Sequence, residues 1–403
     1  MRRLTNTILF LIVCLSIPAQ TTVISGRVSN RQTGAVVPHA TIAVEGTDLS
    51  VVTNDDGFFT LKTTRDKPAL VVSHLGFESQ RIELTAPVKP LSIQLKPTAV
   101  ALHEVVVWTE DPRELMAIAI RKIPSNYSQT AQRYQCFYRE TAMKRQHYIY
   151  VAEGVVDMYK TDYSRGNTSF DRVAITKGRR LLSSKRSDTL SIKVTGGPVQ
   201  PVQLDMVKNT DLLLNEAELA YYNLEMQMPT TIDGRLQYVV SLSPRITMPY
   251  PLYYGHVYID RETLAFTRLE LSLDMSDREK ATDYMLVRKP NGVRFRPKEL
   301  TTLIDYKLEN GISRISYFRN TFRFNCDWKR RLFATSFSAV CEMVVTDRSS
   351  TDARPIRGRD SFDSRDAFYD RVDYFRDPDF WENYDIIEPT ESLDKAIDRL
   401  LKR

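Results

Sequence analysis

The stretch from Asn291 to Phe318, NGVRFRPKELTTLIDYKLENGISRISYF, decides the fold. Two Asn-Gly pairs, Asn291-Gly292 and Asn310-Gly311, precede the β-prone runs Val293 to Phe295 and Ile312 to Phe318. Asn and Gly both accept the positive φ that two-residue hairpin turns of the primed types demand, so each pair predicts a reversal between antiparallel strands. Asp233-Gly234, before Leu236 to Leu242, repeats the signal. Together these turns predict an antiparallel meander from about Leu236 to Val345, curved or half closed so that its edges are protected.

Upstream, alternation continues through Tyr134 to Thr141 and His147 to Tyr159. Residues 162–200 are polar and basic, contain Gly196-Gly197-Pro198, and read as long excursions. Asp211 to Tyr222 reads as a helix. A clearer helix runs from Asp111 to about Ile123. Asp111 caps it, Pro112 fits the first helical position, Glu114 suits the positive end, and Leu115, Ile118 and Ala119 form one stripe. Pro124 ends it. At the other end, Glu391 to Leu401 is amphipathic, with Leu393, Ala396, Ile397, Leu400 and Leu401 on one side.

Residues 22–97 carry about seven short strands separated by turn residues, the pattern of an all-β sandwich. Asn54-Asp55-Asp56-Gly57 is a turn, with Gly57 closing it and one of Phe58 and Phe59 facing the core. In order and spacing, Ser25-Gly26-Arg27-Val28, Gly34, Pro38-His39-Ala40-Thr41-Ile42, Val44-Glu45-Gly46-Thr47, Thr53 to Phe59 and His74-Leu75-Gly76-Phe77 resemble a carboxypeptidase-like regulatory domain. The resemblance implies an accessory β-sandwich without peptidase residues. Leu102-His103-Glu104-Val105-Val106-Val107 resembles the strand that follows this domain in TonB-dependent receptors, but the chain is too short for their barrel. Phe137-Tyr138-Arg139-Glu140 resembles the opening of envelope proteins that carry the same domain. Tyr254 to Asp260 followed by Leu264 to Leu271 is similar to the strand–turn–strand of LolA-like carriers, whose half-barrels hold acyl chains.

The expected fold is therefore mainly β: a seven-stranded sandwich, then an antiparallel, half-barrel-like β domain with a few helices. The expected organisation is a signal peptide at 1–19, the sandwich at 22–97, a linker strand and helix at 98–123, the β-rich domain at 124–348, and an aromatic, acidic tail with a terminal helix at 349–403. Arg2, Arg3 and the apolar run Ile8 to Ile17 form the signal peptide, cut before Gln20. The run is about 10 residues, short of the roughly 20 that span a bilayer. Val13 and the apolar continuation argue against a lipobox at Cys14. No span is expected after cleavage, and the location implied is the periplasm or outer-membrane surface of a Gram-negative cell.

The 403 residues have a net charge of +6, which makes no broad electropositive face and argues against nucleic acid. Zinc hydrolysis needs closely spaced ligands and a base. Only His39, His74, His103, His147 and His256 occur, without HExxH. GxSxG, GxGxxG and GxxxxGK[ST] are missing too. No catalytic, cofactor or metal residue is nominated, and no cofactor is expected. Cys136, Cys326 and Cys341 read as buried hydrophobes, with a Cys326–Cys341 disulfide as the alternative. Lys177, Arg179, Arg180, Lys185 and Arg186 read as a solvated loop rather than a lipid-headgroup contact. Phe362 to Tyr384, aromatic among aspartates, reads as packing back on its own sheet, with a partner-binding strap as the alternative. The function expected is a non-catalytic envelope binding or assembly protein holding an apolar ligand, a lipid or acyl chain. The alternative is a protein-interaction module of an outer-membrane complex; an envelope hydrolase comes third.

Overall fold

The structure is a computed structural model that describes residues 21–65, 67–84, 89–98, 111–183, 193–194, 196–329, 333–349, 353–374, 380–381 and 384–401. The segment expected as a signal peptide with Cys14, the one expected as a strand at 102–107 with His103, and Lys185, Arg186 and Phe375 lie outside the described residues.

The first unit is the expected seven-stranded sandwich. One sheet has the order β4 (Phe58–Thr63), β1 (Thr22–Asn30), β7 (Leu91–Leu95). The other has the order β3 (Ser50–Val52), β2 (Thr41–Val44), β5 (Ala69–Ser73), β6 (Gln80–Glu83). Inward positions of both sheets, among them Ile24, Val28, Ile42, Phe59, Leu61, Leu70 and Ile93, make one core. Phe59 is the buried member of its pair and Phe58 is exposed. The turn before them closes on Asn54, whose Oδ1 accepts the backbone N–H groups of Asp56 and Phe58. Gly57 has φ +80°, and a Cβ there would lie 2.7 Å from the Val28 carbonyl.

The second unit is built on one sheet of eleven strands. Its order is β12 (Tyr222–Ile232), β13 (Arg235–Pro244), β14 (Tyr253–Asp260), β15 (Phe266–Leu273), β17 (Val293–Glu309), β18 (Ile312–Trp328), β19 (Thr335–Ser349), β8 (Gln132–Lys144), β9 (His147–Lys160), β10 (Arg172–Leu182), β20 (Asp373–Tyr374). All pairs are antiparallel except the last, a two-residue parallel contact. The meander begins one strand earlier than Leu236 and ends as expected. Its last strand, β19, then pairs with β8, so the N-terminal hairpins extend the same sheet. A separate two-stranded pair joins β11 (Lys193–Val194) to β16 (Leu286–Arg288). Asp233, Gly234, Asn310 and Gly311 all have positive φ at two of the predicted reversals. At Asn291-Gly292 only Gly292 does, and the strands on either side, β16 and β17, are not paired, so no hairpin forms there.

Two layers cover this sheet. On one face lie α1 (Pro112–Arg121), α2 (Ile123–Asn126), the stretch 196–221 with its short α3 (Gln200–Gln203), and α4 (Arg278–Met285). Asp111 caps α1 as expected, accepting from the Arg113 N–H. On the other face the sandwich docks through Val52, beside Phe380, Trp381 and Ile387 of the C-terminal segment, all packed on Phe137, Val155, Tyr317 and Val344. The terminal helix α5 (Glu391–Leu401) seats Leu393, Ile397 and Leu400 on Val151 and Leu181 of that face.

Two further expectations are corrected, and for the cysteines the buried-hydrophobe reading holds while the disulfide alternative falls. Asp211 to Tyr222 is turns and one 3-10 turn at Glu218–Tyr221, its Leu213, Leu214 and Leu219 buried by tertiary packing rather than by a helical stripe. The basic excursion holds β10. Lys177 donates to the Phe380 carbonyl at 2.7 Å and covers that ring, Arg179 pairs with Glu153, and Arg180 bonds the Tyr369 carbonyl, so these cations are neither a solvated loop nor a lipid contact. Cys136, Cys326 and Cys341 are free and buried; on adjacent strands Cys326 faces Thr335 while Cys341 faces Asn320, out of bonding register.

Candidate functional site

The place to look for an apolar ligand is the helix-covered face. There Val240, Val257, Leu269, Ile304 and Phe318 are at most marginally accessible, and the residues burying them belong to the chain itself: Leu115, Met116, Val202, Met206, Val207, Leu213 and Leu214. The cover is fastened by ions. Asp205 and Lys208, in the stretch 196–221, are fully buried. Lys160 of β9 lies 2.8 Å from Asp205, and Lys208 lies 2.7 Å from Asp171. Tyr163 and Tyr306 donate their hydroxyls to the two Asp205 oxygens at 2.8 and 2.6 Å. Burial alone would push the Asp205 carboxyl up, but the Lys160 ammonium and the tyrosine hydroxyls hold it below its ordinary value. Burial, and then the charge of Lys160, pull the Lys208 ammonium down to about 8. Arg113 of α1 adds two bonds, to the Leu219 and Tyr222 carbonyls.

The sandwich-covered face carries a different arrangement. Arg179, Glu153, Arg139, Glu342 and Arg319 stand directly opposite one another on β10, β9, β8, β19 and β18. Cross-strand register thus lays alternating charges across five adjacent strands. Arg179 and Arg139 each reach Glu153 at 2.8 Å; Glu342 is 3.5 Å from Arg139 and 3.4 Å from Arg319. Arg319 continues the row into the sandwich, 3.1 Å from Asp55 and 2.7 Å from the His39 ring, and His39 itself stacks on Tyr317. Burial opposes the ionised Glu153, yet Arg139 and Arg179 outweigh it and hold its pKa below the ordinary value. Asp55 is likewise held low against burial by His39 and Arg319. Glu153 and Asp55 stay ionised, and each of the three acids in the row is committed to an arginine.

The C-terminal segment runs over this row, fastened by its main chain. Arg139 donates to the Ile387 carbonyl at 2.6 Å, Asn54 to that of Pro389 at 2.9 Å, and Lys62 to those of Trp381 and Tyr384 at 2.5 and 2.8 Å. Phe362, Phe368, Phe380 and Trp381 are buried, which is the packing-back reading of the tail. Beside the segment a cleft of about 340 Å³ remains, bounded by the sandwich turn at Asn54 and Asp55, strands β17, β18, β19 and β8, and residues 387–393. Its volume is at the lower end of small-molecule sites, and it sits where such sites gather, between packed units.

No histidine among the described residues lines this cleft; His39 only bonds two residues that do, Asp55 and Arg319. His74 bonds the Leu75 carbonyl, with burial and then Arg268 pulling its pKa down to about 4. Among the described residues no group of three or more His, Cys, Asp and Glu is placed to hold a metal ion. No helix among them is long and apolar enough to cross a membrane. Sequence reasoning missed the charge row altogether. Its only trace is a lone charge inside each apolar run, as in Tyr138-Arg139-Glu140 or Ala152-Glu153-Gly154, and only strand register joins them.

Residues 24–107 match the model of the CarboxypepD_reg-like domain, so the N-terminal sandwich is a domain of that family. No curated protein matches the chain. Among solved structures it is similar to a LolA superfamily protein from Nitrosomonas europaea, at 12% identity, TM-score 0.23, covering 59% of this chain and 95% of that one. A DUF1329 family protein from Desulfovibrio piger is matched at 10% identity, TM-score 0.24, covering 59% of this chain and 94% of that one. Neither likeness bears on function.

Proposed function

We propose that this chain is a non-catalytic binding or assembly protein of the cell envelope, acting as a protein-interaction module rather than as a lipid carrier. One observation carries this: the face that would cradle an acyl chain is already filled by α1 and the stretch 196–221. An apolar guest there would have to displace that cover. Doing so would strand Lys160 of β9 and Asp171, just before β10, and pull Asp205 and Lys208 from their partners. Breaking each buried pair by removing one member costs about 3–5 kcal/mol, which offsets the burial of roughly five methylenes at about 0.8 kcal/mol each. The reading as an envelope hydrolase finds little support in the charge row of the sandwich-covered face, where Glu153, Asp55 and Glu342 are each paired with an arginine. The test is quantitative lipid extraction and mass spectrometry of protein purified without detergent, before and after incubation with phospholipid vesicles. The interaction-module reading expects far less than one lipid per chain in both samples. Near-stoichiometric lipid in either would restore the carrier.

A further inference from the structure

The floor of the 340 Å³ cleft is made of three parallel rows set by strand register. The first is the charge row, Arg319–Glu342–Arg139. The second runs Thr301–Thr321–Val340–Thr141, and the third Glu299–Arg323–Ser338–Met143. The hydroxyls of Thr141, Thr301, Thr321 and Ser338 line the cleft, and none has a hydrogen-bond partner among the described residues. They are also absent from the buried unpartnered atoms, so they open onto the cleft. The buried hydroxyls of Thr267, Thr53 and Ser50 are by contrast engaged, with Gln237 and with the Val37 and Val345 carbonyls.

From this we propose that the cleft binds a neutral polyhydroxylated ligand, a glycan segment. The charges select against other classes. Arg139 and Arg319 share Glu342, and Arg323 faces Glu299 at 3.4 Å, so each arginine on the floor has its acid. An anionic ligand would have to break one of these pairs to be matched; Glu388, which lines the cleft without an ion pair among the described residues, stays spare for a sugar hydroxyl or a cation. A sugar hydroxyl is both donor and acceptor. It pairs with a free Thr or Ser hydroxyl, and it uses spare carboxylate lone pairs and guanidinium N–H groups without unseating an ion pair. Because the ion pairs already fix the arginine side chains, little rotamer freedom is lost on binding. Tyr148 and Met143, half-buried at one wall, offer an aromatic and an apolar surface for the C–H face of a ring. The site is on the sheet face opposite the filled one and does not depend on the interaction-module reading.

The test is calorimetric titration of the full mature chain with malto-, cello-, manno- and chitohexaose, and with an oligogalacturonate as the anionic comparison, at low and high salt. At least one neutral hexasaccharide binds, with affinity insensitive to salt. Thr321→Val and Ser338→Ala remove two hydroxyls and no protein hydrogen bond. Each variant keeps the wild-type melting temperature and weakens binding by roughly fivefold, the worth of one ordinary hydrogen bond. Tyr148→Ala weakens it independently. If no neutral sugar binds, if only the oligogalacturonate binds and salt abolishes it, or if the hydroxyl variants bind like the wild type, the proposal is overturned.

Discussion

Asp385 is the pH-sensitive point of the C-terminal segment, and replacing it with asparagine should make the protein more stable at pH 8 while leaving it unchanged near pH 4. Its Oδ1 accepts the Lys62 backbone N–H at 2.7 Å, joining the segment to strand β4 of the sandwich. Burial pushes its pKa from 3.8 up to about 7, with Lys62 only partly offsetting the rise. The folded protein therefore holds a proton that the unfolded chain releases near pH 4. Stability contributed by this group is complete below pH 4 and falls as pH rises through 7. A gap of about three pH units corresponds to roughly 4 kcal/mol. The side chain is partly open to solvent, so screening reduces the expected effect to about 1–2 kcal/mol. Asparagine keeps the acceptor for the Lys62 N–H and carries no charge to bury. Urea denaturation of wild type and Asp385→Asn at pH 4 and pH 8 measures this. A gain of the same size at both pH values, or a loss at pH 8, refutes the reasoning.

Three further outcomes follow from the packing. Glu153→Ala leaves Arg139 and Arg179 facing each other across β8, β9 and β10, and should cost about 3–5 kcal/mol, lowering the thermal midpoint by roughly 10 °C; a shift within error would show that the charge row is not a structural clamp. Asn320 is fully buried on β18, and neither amide atom has a partner among the described residues. Asn320→Leu should therefore gain about 1–3 kcal/mol in urea denaturation, whereas a loss would mean the amide is satisfied in solution. Gly57→Ala, at φ +80° with the Val28 carbonyl 2.7 Å from the new methyl, should lose about 1–3 kcal/mol; an unchanged melting curve of the full chain would contradict the turn geometry.

What the sequence disclosed and what it hid divide along one physical line. Local chemistry was legible. Asn310-Gly311 and Asp233-Gly234 announce their turns because few residues tolerate positive φ. Asp111 announces its helix because a cap is a bond within three residues. Asn54 to Phe59 carries both a turn and a family resemblance. The hidden parts depend on partners far along the chain. Lys177 and Arg179 look like a solvated loop until β10 lies beside Glu153 and the tail. Leu213, Leu214 and Leu219 suggest a helix because they are apolar, yet they are buried by the sheet without helical period. The charge row spans residues 139 to 342 and exists only through the pairing of β19 with β8. The free hydroxyls of Thr301, Thr321 and Ser338 are ordinary strand residues until register sets them side by side.

The account turns on whether the stretch 196–221 is a permanent cover. Hydrogen–deuterium exchange of the intact chain, with and without phospholipid vesicles, reads this directly. If the cover is fixed by Asp205 and Lys208, the amides around Met206, Val207 and Leu214 exchange slowly and equally in both samples. If vesicles speed exchange there while the strands beneath stay protected, the cover opens for lipid and the face is a binding site after all.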